Sequence, residues 1–116
     1  MKNSKFDLEQ RTEKFFLNVI DLCKKVPRNS LTRRQISQLI GSSGSIGANW
    51  REASECESRR DFSHKVKLSR KEAKESQLWL KGIGHTIKSL SGDCNKLIAE
   101  AKEFVYIFTS IINKVK

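Results

Sequence analysis

The sequence predicts an all-α fold: an antiparallel up-down-up-down four-helix bundle filling residues 1–116 as a single domain. Three observations carry this. Apolar residues recur at alternating spacings of three and four in four separate stretches, each of which can lay one seam along a helix. Capping and breaking residues bound those stretches. Period-two alternation, the mark of a half-buried strand, appears nowhere. Four helices of similar length on short loops bury such seams by packing antiparallel.

The first helix is expected to start at Asp7, with Gln10 as its capping-box partner. Leu8, Thr12, Phe15, Val19, Leu22 and Val26 form its seam; Pro27 stops it, and Asn29-Ser30 makes the turn. Thr32 with Gln35 repeats the capping signature, so a second helix is expected from Leu31 to Glu55. Its seam is Ile36, Leu39, Ile40, Ser43, Ile46, Trp50 and Ala53. The third is an unbroken heptad ladder of Phe62, Val66, Ser69, Ala73, Ser76, Leu80 and Ile83, with Gly82 and Gly84 expected to end it. Ser91-Gly92-Asp93 caps a fourth, whose seam is Cys94, Ile98, Ala101, Val105, Phe108, Ile112 and Val115.

Two helices hold more apolar surface than one seam can hide. The fourth adds Leu97, Phe104, Ile107 and Ile111, and the first adds Phe16, Ile20 and Cys23. Surplus of this kind marks contact with another chain. Phe16, Ile20, Phe104, Ile107 and Ile111 are therefore the candidate interface of a homo-oligomer. Gly41, Gly44 and Gly47, beside Ser42, Ser43, Ser45 and Ala48, fall inside the second helix. There each glycine costs about 1 kcal/mol relative to alanine, a cost that persists where another helix must approach closely. A phosphate cradle is not indicated, because the segment lacks GxxxxGK[ST] and a preceding strand.

Of the 116 residues, 23 are Lys or Arg and 13 are Asp or Glu, a net charge of +10. Such an excess favours phosphate-rich or acidic partners at long range. On the third helix Arg60, Lys67, Arg70, Lys71, Lys74 and Lys81 gather to one side of the seam as a candidate nucleic-acid surface. Aromatic residues that could stack on unpaired bases are missing from it, which disfavours sequence-specific reading of RNA. Asp61, Glu72 and Glu75 lie on the opposite flank near Leu68 and Trp79. Arg51, Glu52, Lys65, Glu72 and Glu75 are expected to form a structural ionic network.

Catalytic and metal chemistry find little support. A di-iron bundle needs carboxylates on all four helices and Glu-x-x-His on two. Here there is one Asp61-x-x-His64 pair, and Glu52, Glu55, Glu72 and Glu75 have no inward acids facing them from the first and fourth helices. Neither His64 nor His85 stands in a nucleophilic arrangement with Ser or Cys and an acid. The expectation is no enzyme, no metal and no cofactor. Cys23, Cys56 and Cys94 lack CxxC spacing and read as reduced thiols, which suits a reducing cytoplasm. The N-terminus alternates charges with little apolar content and does not read as a signal peptide. The longest apolar run, Phe104 to Ile112, is far shorter than the ~20 residues of a membrane span.

The middle third, read as Gln38-Leu39, Ser45-Ile-Gly-Ala-Asn49, Arg51-Glu-Ala53, Ser58, Asp61-Phe62, Lys65, Lys71-Glu-Ala73, Glu75 and Trp79-Leu80, resembles a bacterial family. Its members are four-helix-bundle proteins encoded in intervening sequences of 23S ribosomal RNA genes, sometimes labelled ribosomal proteins. The flanking helices match in pattern only. The resemblance implies an antiparallel bundle, commonly a ring-shaped homopentamer, with no assigned enzymatic activity. It also implies kinship with accessory proteins of diversity-generating retroelements, which bind a reverse transcriptase and nucleic acid. Gly41 stands where the family often has arginine, and Trp50 where tyrosine is usual. Function is therefore expected to be RNA, DNA or other polyanion binding by a basic homo-oligomer, or alternatively a protein scaffold for a partner such as a reverse transcriptase.

Overall fold

The computed structural model describes the backbone of residues 4–115 and the side chains of residues 7–115. It contains helices α1 (Ser4–Lys24), α2 (Arg33–Ser54), α3 (Arg59–Thr86) and α4 (Ser91–Lys114), with a 3-10 turn, Lys88–Leu90, before α4. No strand occurs among the described residues. Helices adjacent in sequence pack side by side and α4 closes against α1, giving the up-down-up-down bundle, 44 Å long. Among the described residues the backbones of α2–α3 and α3–α4 approach most closely, and those of α1–α4 are the most widely spaced neighbours.

The α1 seam is buried at every position from Leu8 to Val26. On α3, Val66, Ser69, Ala73, Ser76, Leu80 and Ile83 are fully enclosed. Small residues let α2 and α3 come close, and their hydroxyls satisfy one another. Ser42 Oγ and Ser76 Oγ are 2.9 Å apart, and Ser69 Oγ donates to the Ile46 carbonyl at 3.0 Å. Among the described residues no buried side-chain polar atom lacks a partner, as a low-dielectric interior requires.

The helix ends depart from the capping signatures. α1 begins at Ser4, which puts Asp7 inside the first turn rather than at the cap. Thr32 makes no side-chain cap to α2. Its hydroxyl instead donates to the Pro27 carbonyl at 2.5 Å and accepts from the Asn29 amide at 3.0 Å, locking the α1–α2 turn. Asn29 Oδ1 accepts from the amides of Leu31 and Thr32, an Asx turn. Gln35 Nε2 donates to the Leu31 carbonyl at 2.7 Å, so the expected capping box is absent. The true side-chain cap is Ser58, whose Oγ accepts from the Asp61 amide at 3.0 Å to start α3.

Gly82 and Gly84 do not end α3, which runs to Thr86. Both meet neighbours instead: a Cβ on Gly84 would lie 3.3 Å from Cys94 Cβ, and one on Gly82 would collide with Gln35 Oε1. Local glycine content predicted a stop, but the backbone stays helical through both; close approach of α4 favours glycine at Gly84, whereas at Gly82 the Gln35 side chain can swing aside.

Phe104 corrects the candidate interface. It is completely buried, stacked on Phe108 with centroids 6.2 Å apart and edge-on to Phe15 at 5.5 Å. Val105, expected in the seam, is only half-buried. The core stripe of α4 is rotated toward α1, so Phe104 belongs to the bundle interior and not to a subunit contact.

Candidate nucleic-acid interface

The α3 seam faces inward, so residues half a turn away face solvent. Arg60, Lys67, Lys71, Lys74 and Lys81 are all exposed along that outer side. Arg70 leans away from them, half-buried, with Nη1 donating to Thr109 Oγ1 of α4 at 3.2 Å. It marks the edge of the face. Lys102, one heptad before Thr109, shares that side of α4 and is exposed, adding a cation that sequence reasoning missed. Leu78, 61% exposed, stands amid the lysines of the outer face. Heptad phase against Thr109 is the signal that could have found Lys102.

These cations carry unbalanced charge. Among the described residues the ion pairs are Arg11–Glu100, Lys24–Asp21, Lys25–Asp93, Arg51 with Glu9 and Glu13, and Lys65–Glu52. Arg60, Lys67, Lys71, Lys74 and Lys81 enter none of them.

The expected ionic network is split. Lys65 Nζ meets Glu52 Oε1 at 2.6 Å, which holds the Lys65 pKa up. Arg51 turns to the other neighbour of α2, with Nη2 2.8 Å from Glu13 Oε1 on α1 and Nε 3.9 Å from Glu9 Oε1. Glu72 and Glu75 join neither pair. Glu72 lies one heptad from Lys65, about 10 Å along the helix axis and out of ion-pair reach. Burial is the main cause that raises its carboxyl pKa; the charge of Glu75 and a hydrogen bond shared with it add to this, and Lys71 opposes.

No three His, Cys, Asp or Glu side chains among the described residues gather as a metal centre would need. Cys23 and Cys94 are buried, and Cys56 is half-buried. Burial above all, with the nearby charge of Asp93, pushes the Cys94 thiol up to about 11, and burial also raises Cys23. Both thiols are thereby poor sources of nucleophilic thiolate near neutral pH. No described helix is long and apolar enough to cross a membrane.

Comparison with known proteins agrees with this architecture. The family model described as 23S rRNA-intervening sequence protein matches residues 4–110, nearly the whole bundle. The chain belongs to that family. A solved structure of a protein of unknown function from the S23 ribosomal protein family, from Bacteroides thetaiotaomicron, superposes with a TM-score of 0.81. The two sequences are 26% identical, and the match covers 96% of this chain and 99% of that one. No curated protein matches. Membership in the 23S rRNA-intervening sequence family thus rests on all four helices rather than on the middle third alone.

Proposed function

We propose that this family member is a non-enzymatic, cytoplasmic homo-oligomer that binds RNA, or another polyanion, through the outer face of α3 with little sequence preference. The carrying observation is the row of exposed, unpaired cations from Arg60 to Lys81. Fixed positive charge not tied up in ion pairs attracts a phosphate backbone, and each contact releases condensed counterions. Phe, Tyr and Trp rings are missing from the row, which supports a backbone contact over base reading.

Self-association rests on two other surfaces, one in the α1–α4 groove and one in the α1–α2 groove. Ile107 and Ile111 are half-buried beside Tyr106, which is 71% exposed, along the α1–α4 groove. Phe16 and Ile20 are half-buried on α1, next to Leu17 at 51% exposure. Five subunits is the count that the family resemblance implies. Several copies of the α3 face on one assembly would act together and strengthen weak single contacts.

Fluorescence anisotropy with unrelated RNAs tests the reading. Affinity should fall steeply between dilute buffer and physiological salt, and about equally for each RNA. If no salt-sensitive association occurs even in dilute buffer, the charge is solubilising only. A scaffold for a protein partner, such as a reverse transcriptase, then becomes the better account.

A further inference from the structure

We infer that the partner of the α3 face is a double-helical nucleic acid, gripped along its sugar-phosphate backbone, rather than a single strand. This rests on the polyanion reading above and adds the form of the ligand. α3 is a continuous helix of 28 residues. Arg60 and Lys81 are 21 positions apart on it, about 31 Å of axial rise. That nearly matches one turn of a B-form duplex, ~34–36 Å.

The cations are mounted on a helix held by close packing against both neighbours, so their row is straight and stiff. A duplex presents phosphates in a regular, stiff array with about one charge per 1.7 Å of axis, whereas a single strand carries lower charge density and must be ordered on binding. Proteins that hold single strands pair a basic groove with aromatic platforms for the bases. The outer face of α3 lacks such platforms: the rings of Trp50 and Phe62 meet each other between α2 and α3, Trp79 packs against the core, and the shallow cleft at the start of the face is lined by Arg60, Asp61, Ser63, His64 and Lys67, with no Phe, Tyr or Trp. The exposed apolar group among these lysines is Leu78, which suits contact with sugar faces but not base stacking. Lys102 on α4 widens the cationic surface, as a double-stranded backbone requires.

Competition anisotropy decides this, using a DNA duplex of about 20 base pairs, two turns, an RNA duplex of the same sequence, and the component single strands. Either duplex should bind on the order of tenfold tighter than the single strands at equal salt. The two duplex arms show whether the A-form or the B-form backbone is preferred. Lys67→Gln, Lys71→Gln and Lys74→Gln together should weaken duplex binding and reduce the salt slope by about 0.9 per lysine removed. Lys14→Gln, on exposed α1 surface, should leave both unchanged. These positions lie off the core, and circular dichroism verifies that each variant is folded. Salt-sensitive binding in which single strands equal or exceed duplexes overturns the duplex inference while leaving the polyanion reading intact. Binding to none of the probes overturns both.

Discussion

Arg11 on α1 and Glu100 on α4 form a two-pronged ion pair, with Nη2 2.8 Å from Oε1 and Nε 3.2 Å from Oε2. The same guanidinium lies 5.4 Å above the Phe104 ring. Its hydrogen bond to Glu100 raises the Arg11 pKa, so the charge is held throughout any accessible pH. This cluster bridges α1 and α4, the neighbouring helices whose backbones lie farthest apart.

The tie divides into an apolar and a polar part of unequal weight. Phe104→Ala removes a fully enclosed ring and should cost about 3–5 kcal/mol. Glu100→Ala breaks a pair about one-third exposed on each side, and solvent screening limits that loss to about 1 kcal/mol. Urea unfolding followed by circular dichroism measures both. Equal losses would mean that Phe104 is not the main cross-link between α1 and α4.

The glycines of α2 should respond with opposite signs. A Cβ on Gly47 would lie 2.9 Å from Thr12 Oγ1 and 3.3 Å from Thr12 Cβ, and that hydroxyl is already bound to the Leu8 carbonyl at 2.7 Å. Gly47→Ala should therefore destabilise, by about 1–3 kcal/mol. A Cβ on Gly41 meets nothing within 4 Å, so Gly41→Ala should stabilise by up to about 1 kcal/mol through helix propensity. Thermal melts that moved in the same direction for both would refute this account of the segment.

The fold was legible because one seam per helix repeats with helical period, and nearly every seam residue from Leu8 to Ile112 is buried. What was not legible came from three-dimensional neighbours. Sequence cannot say that Arg51 faces α1 rather than α3, which is why the ionic network split. The phase of α4 was also hidden, since Val105 and Phe104 are adjacent and both apolar; packing volume against Phe15 selected the ring. For the α2 glycines, close approach was the right reason at Gly44 and Gly47 and the wrong one at Gly41 and the exposed Ala48.

Glu72 should make stability depend on pH with a sign unusual for a carboxylate. Its folded pKa is raised by burial and by Glu75. The stabilising contribution is therefore complete below the unfolded value near 4.3 and is lost as pH rises through the folded value. Glu72→Gln should raise the melting temperature near pH 7 and leave it nearly unchanged at acid pH, the gain being under about 1 kcal/mol after solvent screening. A lower melting temperature for Glu72→Gln at neutral pH would show that a cation holds the carboxylate.

Assembly and folding should separate by position. Ile111→Lys, at the half-buried rim of the α1–α4 groove, should dissociate the oligomer while preserving helicity. Multi-angle light scattering at micromolar concentration reads the mass. A monomeric wild type, or an unaltered oligomer in the variant, would remove this groove from the interface.

Lysine footprinting tests the central claim most directly. The folded protein is acetylated briefly with and without saturating RNA in dilute buffer, and modification at each lysine is read by mass spectrometry. Lys67, Lys71, Lys74 and Lys81 should be protected severalfold, while Lys14 and Lys24 on α1 react at the same rate in both samples. Protection spread evenly over the surface, or concentrated on α1 or α2, would contradict the assignment of the α3 outer face as the nucleic-acid surface.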